Sequence, residues 1–197
     1  MRSLALLFAL VLLAGCSIDG EEDGTPVTSD ELRQLVLQPA DVPRVFIRFD
    51  EGRQGTAEQP VGRADMSRLG RQGGWKARYR RSGTTETKGP LVIASLVDVF
   101  DSAGGAEDEF GALQDDLRAG GLGWRPVESP QLGDEVFAMT HVQGSGASKV
   151  DFFHVAWRDD NVVASVAING FGGKVELADA VGLARRQDRR IARFVGS

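Results

Sequence analysis

The apolar positions of this chain form first a continuous run, then helical spacing, then strand alternation. The run covers residues 4–13 without a charged side chain, and a polar segment, residues 17–28, separates it from the rest of the chain. Three apolar residues then recur at helical intervals: Leu32, Leu35 and Val36. This spacing predicts a short helix, which we expect to end near Gln38 because Pro39 disfavours helix in the residue before it.

Six later segments have the alternating or continuously apolar pattern of β-strands. They are residues 45–49, 75–79, 91–100, 132–142, 150–158 and 162–168. The last two are predicted to form a hairpin across residues 159–161, whose acids and asparagine are typical of turns. Residues 50–74 have no clear period, and we interpret them as a long surface excursion.

Two longer helices complete the predicted set of elements. Ser102 is expected to cap the first, which ends at Gly120-Gly121 and has an apolar stripe of Ala106, Phe110, Leu113 and Leu117. The second has an apolar face between Leu177 and Ile191 and a basic face of Arg185, Arg186, Arg189, Arg190 and Arg193. We interpret the basic face as solvated, with contact to anionic lipid as the alternative.

The order of these elements predicts a single-domain α+β fold, in which a twisted antiparallel sheet is flanked by helices. Phe152-Phe153 and Val162-Val163-Ala164 are apolar on both faces of their strands, which favours helices on both sides of the sheet. This order resembles the PsbP-like α/β/α sandwich of several actinobacterial lipoproteins. Residues 32–43 also resemble openings common in lipoproteins and kinase sensor domains of that group. The resemblance implies no catalytic residues.

The apolar run at the start predicts export. Ten residues rising about 1.5 Å each span about half of a membrane core, which fits the apolar region of a signal peptide. Leu13-Ala14-Gly15-Cys16 stands at the end of the run and resembles the lipobox of bacterial lipoproteins. The resemblance implies cleavage before Cys16 and acylation of its thiol, which places the protein at the extracytoplasmic face of the cell membrane. The acyl chains on Cys16 would bind the protein to the membrane.

These assignments divide the chain into three regions. Residues 1–15 are predicted to be a lipoprotein signal peptide, residues 16–28 the acylated cysteine and a flexible acidic tether, and residues 29–197 the domain.

Arg2 is the sole charged residue before Cys16, so the mature part has 22 basic and 28 acidic residues and a charge near −6. That charge argues against nucleic-acid binding. Cys16 is the single cysteine, so no disulfide is expected.

A basic cluster gives the first candidate site: Arg63, Arg68, Arg71, Lys76, Arg78, Arg80 and Arg81, with Asp65 among them. Strand alternation puts Lys76, Arg78 and Arg80 on one face, where they could bind phosphate or carboxylate groups. The alternative is a solvated strand face paired with neighbouring acids. Trp75 and Tyr79 alternate to the opposite face, which favours core packing over stacking on bases.

His141 and His154 are the only histidines. A metal site would have to add carboxylates of no recognisable spacing, so we predict no metal and no cofactor. The sequence also shows no nucleophile elbow or phosphate loop. We therefore expect a non-enzymatic ligand-binding or interaction domain, whose partner is an unknown small molecule or an envelope protein. The alternatives are an accessory subunit that docks an envelope protein and, third, an enzyme that uses either histidine in a cleft.

Overall fold

The computed structural model describes residues 27–54, 69–120 and 123–196. The predicted signal peptide, Cys16, most of the predicted tether, Arg63 and Arg68 lie outside the described residues. The helices are α1 (Ser29–Leu35), α2 (Ala103–Ala119) and α3 (Leu177–Val195). The strands are β1 (Ile47–Arg53), β2 (Arg71–Arg80), β3 (Val92–Phe100), β4 (Arg125–Val127), β5 (Glu135–Gln143), β6 (Val150–Asp159) and β7 (Val162–Phe171).

The first helix begins at a capping box. The Thr28 N–H donates to Oε2 of Glu31 over 2.7 Å, and the Glu31 N–H donates to Oγ1 of Thr28 over 3.3 Å. These two bonds satisfy backbone donors that the first helical turn leaves unpaired. The helix ends at Leu35, and Pro39 then opens a short 3-10 turn, Pro39–Asp41. The helix predicted from the sequence is confirmed, with an end about three residues earlier.

The seven strands form one antiparallel sheet in the order β1-β2-β3-β7-β6-β5-β4. Strand β7 returns to the middle of the sheet, where it pairs with β3, and β4 lies at the edge opposite β1. One row of paired residues crosses four strands: Arg78, Ala94, Ala167 and His154. Residues in such a row share a face of the sheet.

Helices cover the two faces unequally. On the face that we call the covered face, α1 and α3 pack over most of the sheet and bury residues including Tyr79, Ile93, Trp157, Leu32 and Ile191. On the opposite face, which we call the open face, α2 buries a smaller cluster around Phe100, Phe110, Leu113, Phe137 and Met139. The predicted α+β fold with helices on both sides of a single antiparallel sheet is confirmed.

The first two strands extend further than the sequence pattern predicts. Asp50–Arg53 belong to β1 and Arg71–Gly74 to β2, so the prediction of a surface excursion over residues 50–74 is wrong at both ends. Their lack of a clear period suggested a loop, but Asp50 pairs with Arg78 across the strands. An edge strand tolerates charged residues of this kind. Strand β4 was also missed, because three residues with Pro126 at the centre give no period.

Candidate functional site

A cavity of about 280 Å³ lies on the open face, between α2 and the central strands. Its helical wall is formed by Leu113 and Leu117, and its floor by Leu96, Ser165 and Ala167. His154 of β6 lies at one side. Within the floor, Leu96 of β3 pairs with Ser165 of β7, and the small side chains of Ser165 and Ala167 leave space beneath α2. Small residues at the centre and large ones on α2 thus produce a hollow that is mostly apolar.

A buried ion pair forms the end of this cavity. Nε of Arg71 donates to Oδ1 of Asp98 over 2.7 Å, and the two side chains are 7% and 9% exposed. Nη2 of Arg71 also donates to the carbonyl oxygen of Gln54 over 2.8 Å. The guanidinium therefore neutralises the carboxylate that lines the cavity. Arg71, which the sequence placed in the basic cluster, is inside the fold and not on its surface.

Next to the cavity lies a group of rings from β5, β6 and the segment before β4. The Trp124 ring centroid is 5.5 Å from that of His141 and 6.1 Å from that of His154. His154 also meets the Phe137 ring edge-on at 6.2 Å, and His141 lies 5.6 Å from Phe152. Both histidines are half-buried. His154 therefore belongs to the cavity and to this ring group, while His141 lies further along the sheet.

The other two tryptophans have structural roles. Trp157 is completely buried in the core of the covered face, and Trp75 packs against the same core. Tyr79 is also buried there, which confirms that the apolar side of β2 packs in the core. Its hydroxyl donates to the carbonyl oxygen of Leu37 over 2.6 Å. Burial raises the pKa of the Tyr79 phenol to about 12.

Lys76, Arg78 and Arg80 lie on the open face, as strand alternation predicted. Arg78 donates through Nε to Oδ2 of Asp50 over 2.7 Å, and Nζ of Lys76 is 3.5 Å from the same oxygen. The hydrogen bond from Arg78 holds the pKa of the Asp50 carboxyl below its ordinary value. Arg80 places its guanidinium 5.1 Å from the centroid of the Phe49 ring. Two of the three predicted anion-binding side chains therefore share one carboxylate, and the anion site stays a prediction.

The remaining predicted basic residues are dispersed. Arg81 donates to the carbonyl oxygen of Pro90 over 2.7 Å and lies above the Phe46 ring, away from the open face. On α3, Arg190 pairs with Asp41 at 2.8 Å, which ties the helix to the turn after α1. The other members of the helical basic face are at least partly exposed: Arg185, Arg186, Arg189 and Arg193. The basic residues of β2 and α3 thus form no common site within the part of the chain that the structure describes.

Other hollows lie elsewhere on the described surface. One, of about 330 Å³, lies between α1 and α3. A second, of about 380 Å³, lies beside Phe46 and Leu183. A third is wide and open, has a volume of about 800 Å³ and follows the acidic outer side of α2. The open-face cavity is the most enclosed of the four. Within the described ranges, no three His, Cys, Asp or Glu residues come together as a group that could hold a metal ion.

Sequence reasoning missed the cavity, although it singled out one of its residues, His154. The available signal was the occurrence of small residues at alternating positions, Ser165 and Ala167, in an otherwise large apolar strand. That pattern becomes a cavity only when β3 pairs with β7, which places Leu96 beside Ser165, a pairing between residues far apart in the chain.

Comparisons with known proteins identify the fold. No family model matches the chain, and no curated protein matches it. Among solved structures, the chain is similar to the extracellular domain of PknH from Mycobacterium tuberculosis, with a TM-score of 0.58 and 11% sequence identity. The match covers 84% of this chain and 98% of that one. In the segments described, no helix is both long and apolar enough to cross a membrane. At 11% identity, the likeness to that extracellular domain shows a shared fold.

Proposed function

We propose that this protein is a membrane-anchored extracytoplasmic lipoprotein whose domain binds a small molecule, without transforming it, in the open-face cavity. The cavity beneath α2 is the observation that carries this proposal. Its volume of about 280 Å³ is slightly below the usual range of small-molecule sites, which starts at about 300 Å³, so a small ligand is expected. Such sites are mainly apolar with a few polar groups that orient the ligand.

The lining of the cavity favours recognition of an apolar group. Leu96, Leu113 and Leu117 supply aliphatic surface from a strand and a helix. Ser165 and His154 can each offer hydrogen-bonding atoms near the floor. A ligand with an apolar body and one polar group would satisfy both kinds of surface.

The state of the carboxylate in the lining favours binding over catalysis. An enzyme of the nucleophilic type needs a nucleophile, a base and a group that orients the base. Asp98 is the acid in the cavity lining, and its carboxylate is held by Arg71. It is therefore committed to an ion pair, which argues against its use to orient His154.

The proposed location depends on the sequence of the leader. The lipobox Leu13-Ala14-Gly15-Cys16 supports acylation of the single cysteine, and two or three acyl chains anchor a protein firmly. The similar solved structure is an extracellular domain, which agrees with export of this fold. The two considerations are independent, since one concerns the leader and the other the folded domain.

Native mass spectrometry of the full lipoprotein, extracted from its own membrane in mild detergent, tests this function. We expect a mass above that of the acylated chain, with a discrete species released on collisional activation. A spectrum that contains the acylated chain alone would contradict the binding function. A chain that retains its signal peptide and has no acyl mass would contradict the anchor and leave the cavity to be judged separately.

A further inference from the structure

Three large apolar side chains project into solvent from the turn before β1 and from the first residues of that strand. Val45 is 62% exposed, Ile47 59% and Phe49 41%, and within the described part of the chain they are the exposed large apolar residues. Single exposed apolar residues are ordinary on protein surfaces. Ile47 and Phe49 both lie beside Arg80, and Val45 precedes them by two residues, so the three exposed side chains come from one short segment, which we call the ridge. Exposed apolar residues grouped in this way mark interaction surfaces.

Cations flank this ridge on the open face. In the register of β1 and β2, Ile47 lies opposite Arg80, and Arg80 shares its face with Lys76 and Arg78. The guanidinium of Arg78 lies 5.6 Å from the Phe49 ring centroid, on the same surface as that of Arg80. We call this surface the basic-apolar corner, and it consists of Val45, Ile47, Phe49, Lys76, Arg78 and Arg80.

The corner is positive although the chain as a whole is negative. Among the described residues, Asp50 is the acid that contacts the corner, where it bridges Lys76 and Arg78. Even if Lys76 is left out, the two positive charges of Arg78 and Arg80 exceed the one negative charge of Asp50. The neighbouring Glu51 is paired elsewhere, with Arg33 of α1. The corner therefore attracts anions within a chain whose net charge is −5.

The shape of β1 argues against another strand as the occupant. The register shifts between Arg48 and Asp50, so that Phe49 is an extra residue at a bulge. Bulges and charged residues on an edge strand oppose pairing with a further strand, because they twist the edge away and put charges where the neighbour would lie. The occupant must then touch the exposed side chains and not the backbone edge. Apolar side chains ringed by cations match a bilayer surface of anionic headgroups.

We propose that the basic-apolar corner docks the domain on the anionic surface of the membrane that holds its lipid anchor. The proposal rests on the acylation of Cys16 that is part of the proposed function, and it is independent of the open-face cavity. Residues 17–28 reach at most about 40 Å at about 3.5 Å per residue. This short tether keeps the corner at a high effective concentration near the headgroups, so that a weak patch is sufficient.

The test uses the full acylated lipoprotein with Ile47→Cys, whose thiol is the single free one when Cys16 is acylated. A nitrobenzoxadiazole dye is attached at position 47, and the protein is reconstituted into vesicles. One set contains phosphatidylcholine alone, and the other contains equal parts of phosphatidylcholine and phosphatidylglycerol. We expect a blue shift and quenching by spin-labelled lipid in the anionic vesicles, both reversed at high salt because screening shortens the reach of the charges.

Matched variants separate the corner from general adsorption. Glu128→Cys places the same dye on the exposed segment after β4, at the opposite edge of the sheet, where we expect no quenching. In the Ile47→Cys background, Arg80→Gln is expected to lower the docked-to-undocked ratio about fivefold, the effect of one cation near an anionic surface. Arg125→Gln, on exposed β4, is expected to leave the ratio unchanged.

Other results would overturn the docking. A chain that floats with the vesicles but shows equal or no quenching in the two compositions contradicts it and leaves the anchor intact. A blue shift without lipid quenching, which increases with protein density in the vesicle, indicates that the corner contacts protein instead. A chain that does not float with the vesicles contradicts the anchor and the docking together.

Discussion

The hydroxyl of Ser95 donates to Oε1 of Gln187 over 2.7 Å, and both residues are completely buried on the covered face. The same hydroxyl oxygen accepts the N–H of Leu37 over 2.9 Å, and the Gln187 amide donates to the carbonyl oxygen of Leu96 over 2.8 Å. A polar relay thus joins the segment after α1, strand β3 and α3. It fixes the helices over the sheet through directional contacts that apolar packing alone does not give.

Removal of the hydroxyl at the centre of this relay should destabilise the fold. Ser95→Ala leaves the Leu37 N–H and the Gln187 side chain buried without that partner, each at about 1–3 kcal/mol. We expect the free energy of unfolding, measured by urea titration, to fall by about 2–4 kcal/mol. Ser82→Ala, at an exposed position, is the control and should change it by less than about 0.5 kcal/mol. Equal effects of the two substitutions would contradict the relay.

Gly133 is required by backbone geometry before β5. Its φ is +49°, and a Cβ there would lie 2.2 Å from the carbonyl oxygen of Arg158. Gly133→Ala should lower the free energy of unfolding by at least about 2 kcal/mol, through left-handed strain and this collision. Gly52→Ala is the matched control, since its Cβ would meet no atom within 4 Å. Thermal melts that shift equally for both variants would show that the turn relaxes freely.

The phenol of Tyr79 should make stability depend on alkaline pH. Its pKa is raised from 10 to about 12 in the fold, so its contribution is complete below pH 10 and is lost as the pH rises through 12. The loss amounts to up to about 3 kcal/mol. Tyr79→Phe lacks the bond to Leu37 and should be about 1 kcal/mol less stable at neutral pH.

Since the phenylalanine variant cannot ionise at this position, the difference between the two proteins should shrink and then change sign toward pH 12. Urea titrations of both proteins across this range measure it. A constant difference from neutral to alkaline pH would mean that Tyr79 ionises in the folded state at its ordinary pKa.

Removal of one partner from the ion pair at the end of the cavity should lower the free energy of unfolding strongly. Asp98→Ala leaves the guanidinium of Arg71 uncompensated among side chains that are mostly buried, and we expect a loss of about 3–5 kcal/mol. The double variant Arg71→Met with Asp98→Leu removes both charges and should be closer in stability to the wild type. Asp108→Ala, exposed on α2, controls for loss of a carboxylate. If the double variant is less stable than Asp98→Ala, the ion pair itself is not the source of the loss.

Local patterns predicted the elements well because each depends on neighbours in sequence. The spacing of Leu32, Leu35 and Val36 predicted α1, Ser102 predicted the start of α2, and the turn at residues 159–161 predicted the hairpin of β6 and β7. Apolar residues on both faces of β7 correctly predicted helices on both sides of the sheet. These features need no knowledge of which strands are paired.

The candidate site could not be predicted because it depends on register between distant segments. Ser165 and Ala167 line a hollow only once β7 is paired with β3 and covered by α2, and small side chains in a strand are equally compatible with close helix packing. Asp50 looked like a loop residue until β2 placed Arg78 opposite it. Arg71 and Arg78 had the same apparent role in the sequence, yet one is buried in an ion pair and the other is exposed.

Native mass spectra of three proteins purified in parallel test most directly whether the open-face cavity holds a ligand. Ala167→Trp fills the floor of the cavity, whereas Ala119→Trp puts the same side chain on an exposed position of α2. Circular dichroism and urea titration first establish that both variants are folded. We predict a bound species on the wild type and on Ala119→Trp that is lost from Ala167→Trp. Retention of the same species by folded Ala167→Trp would contradict ligand binding in the open-face cavity.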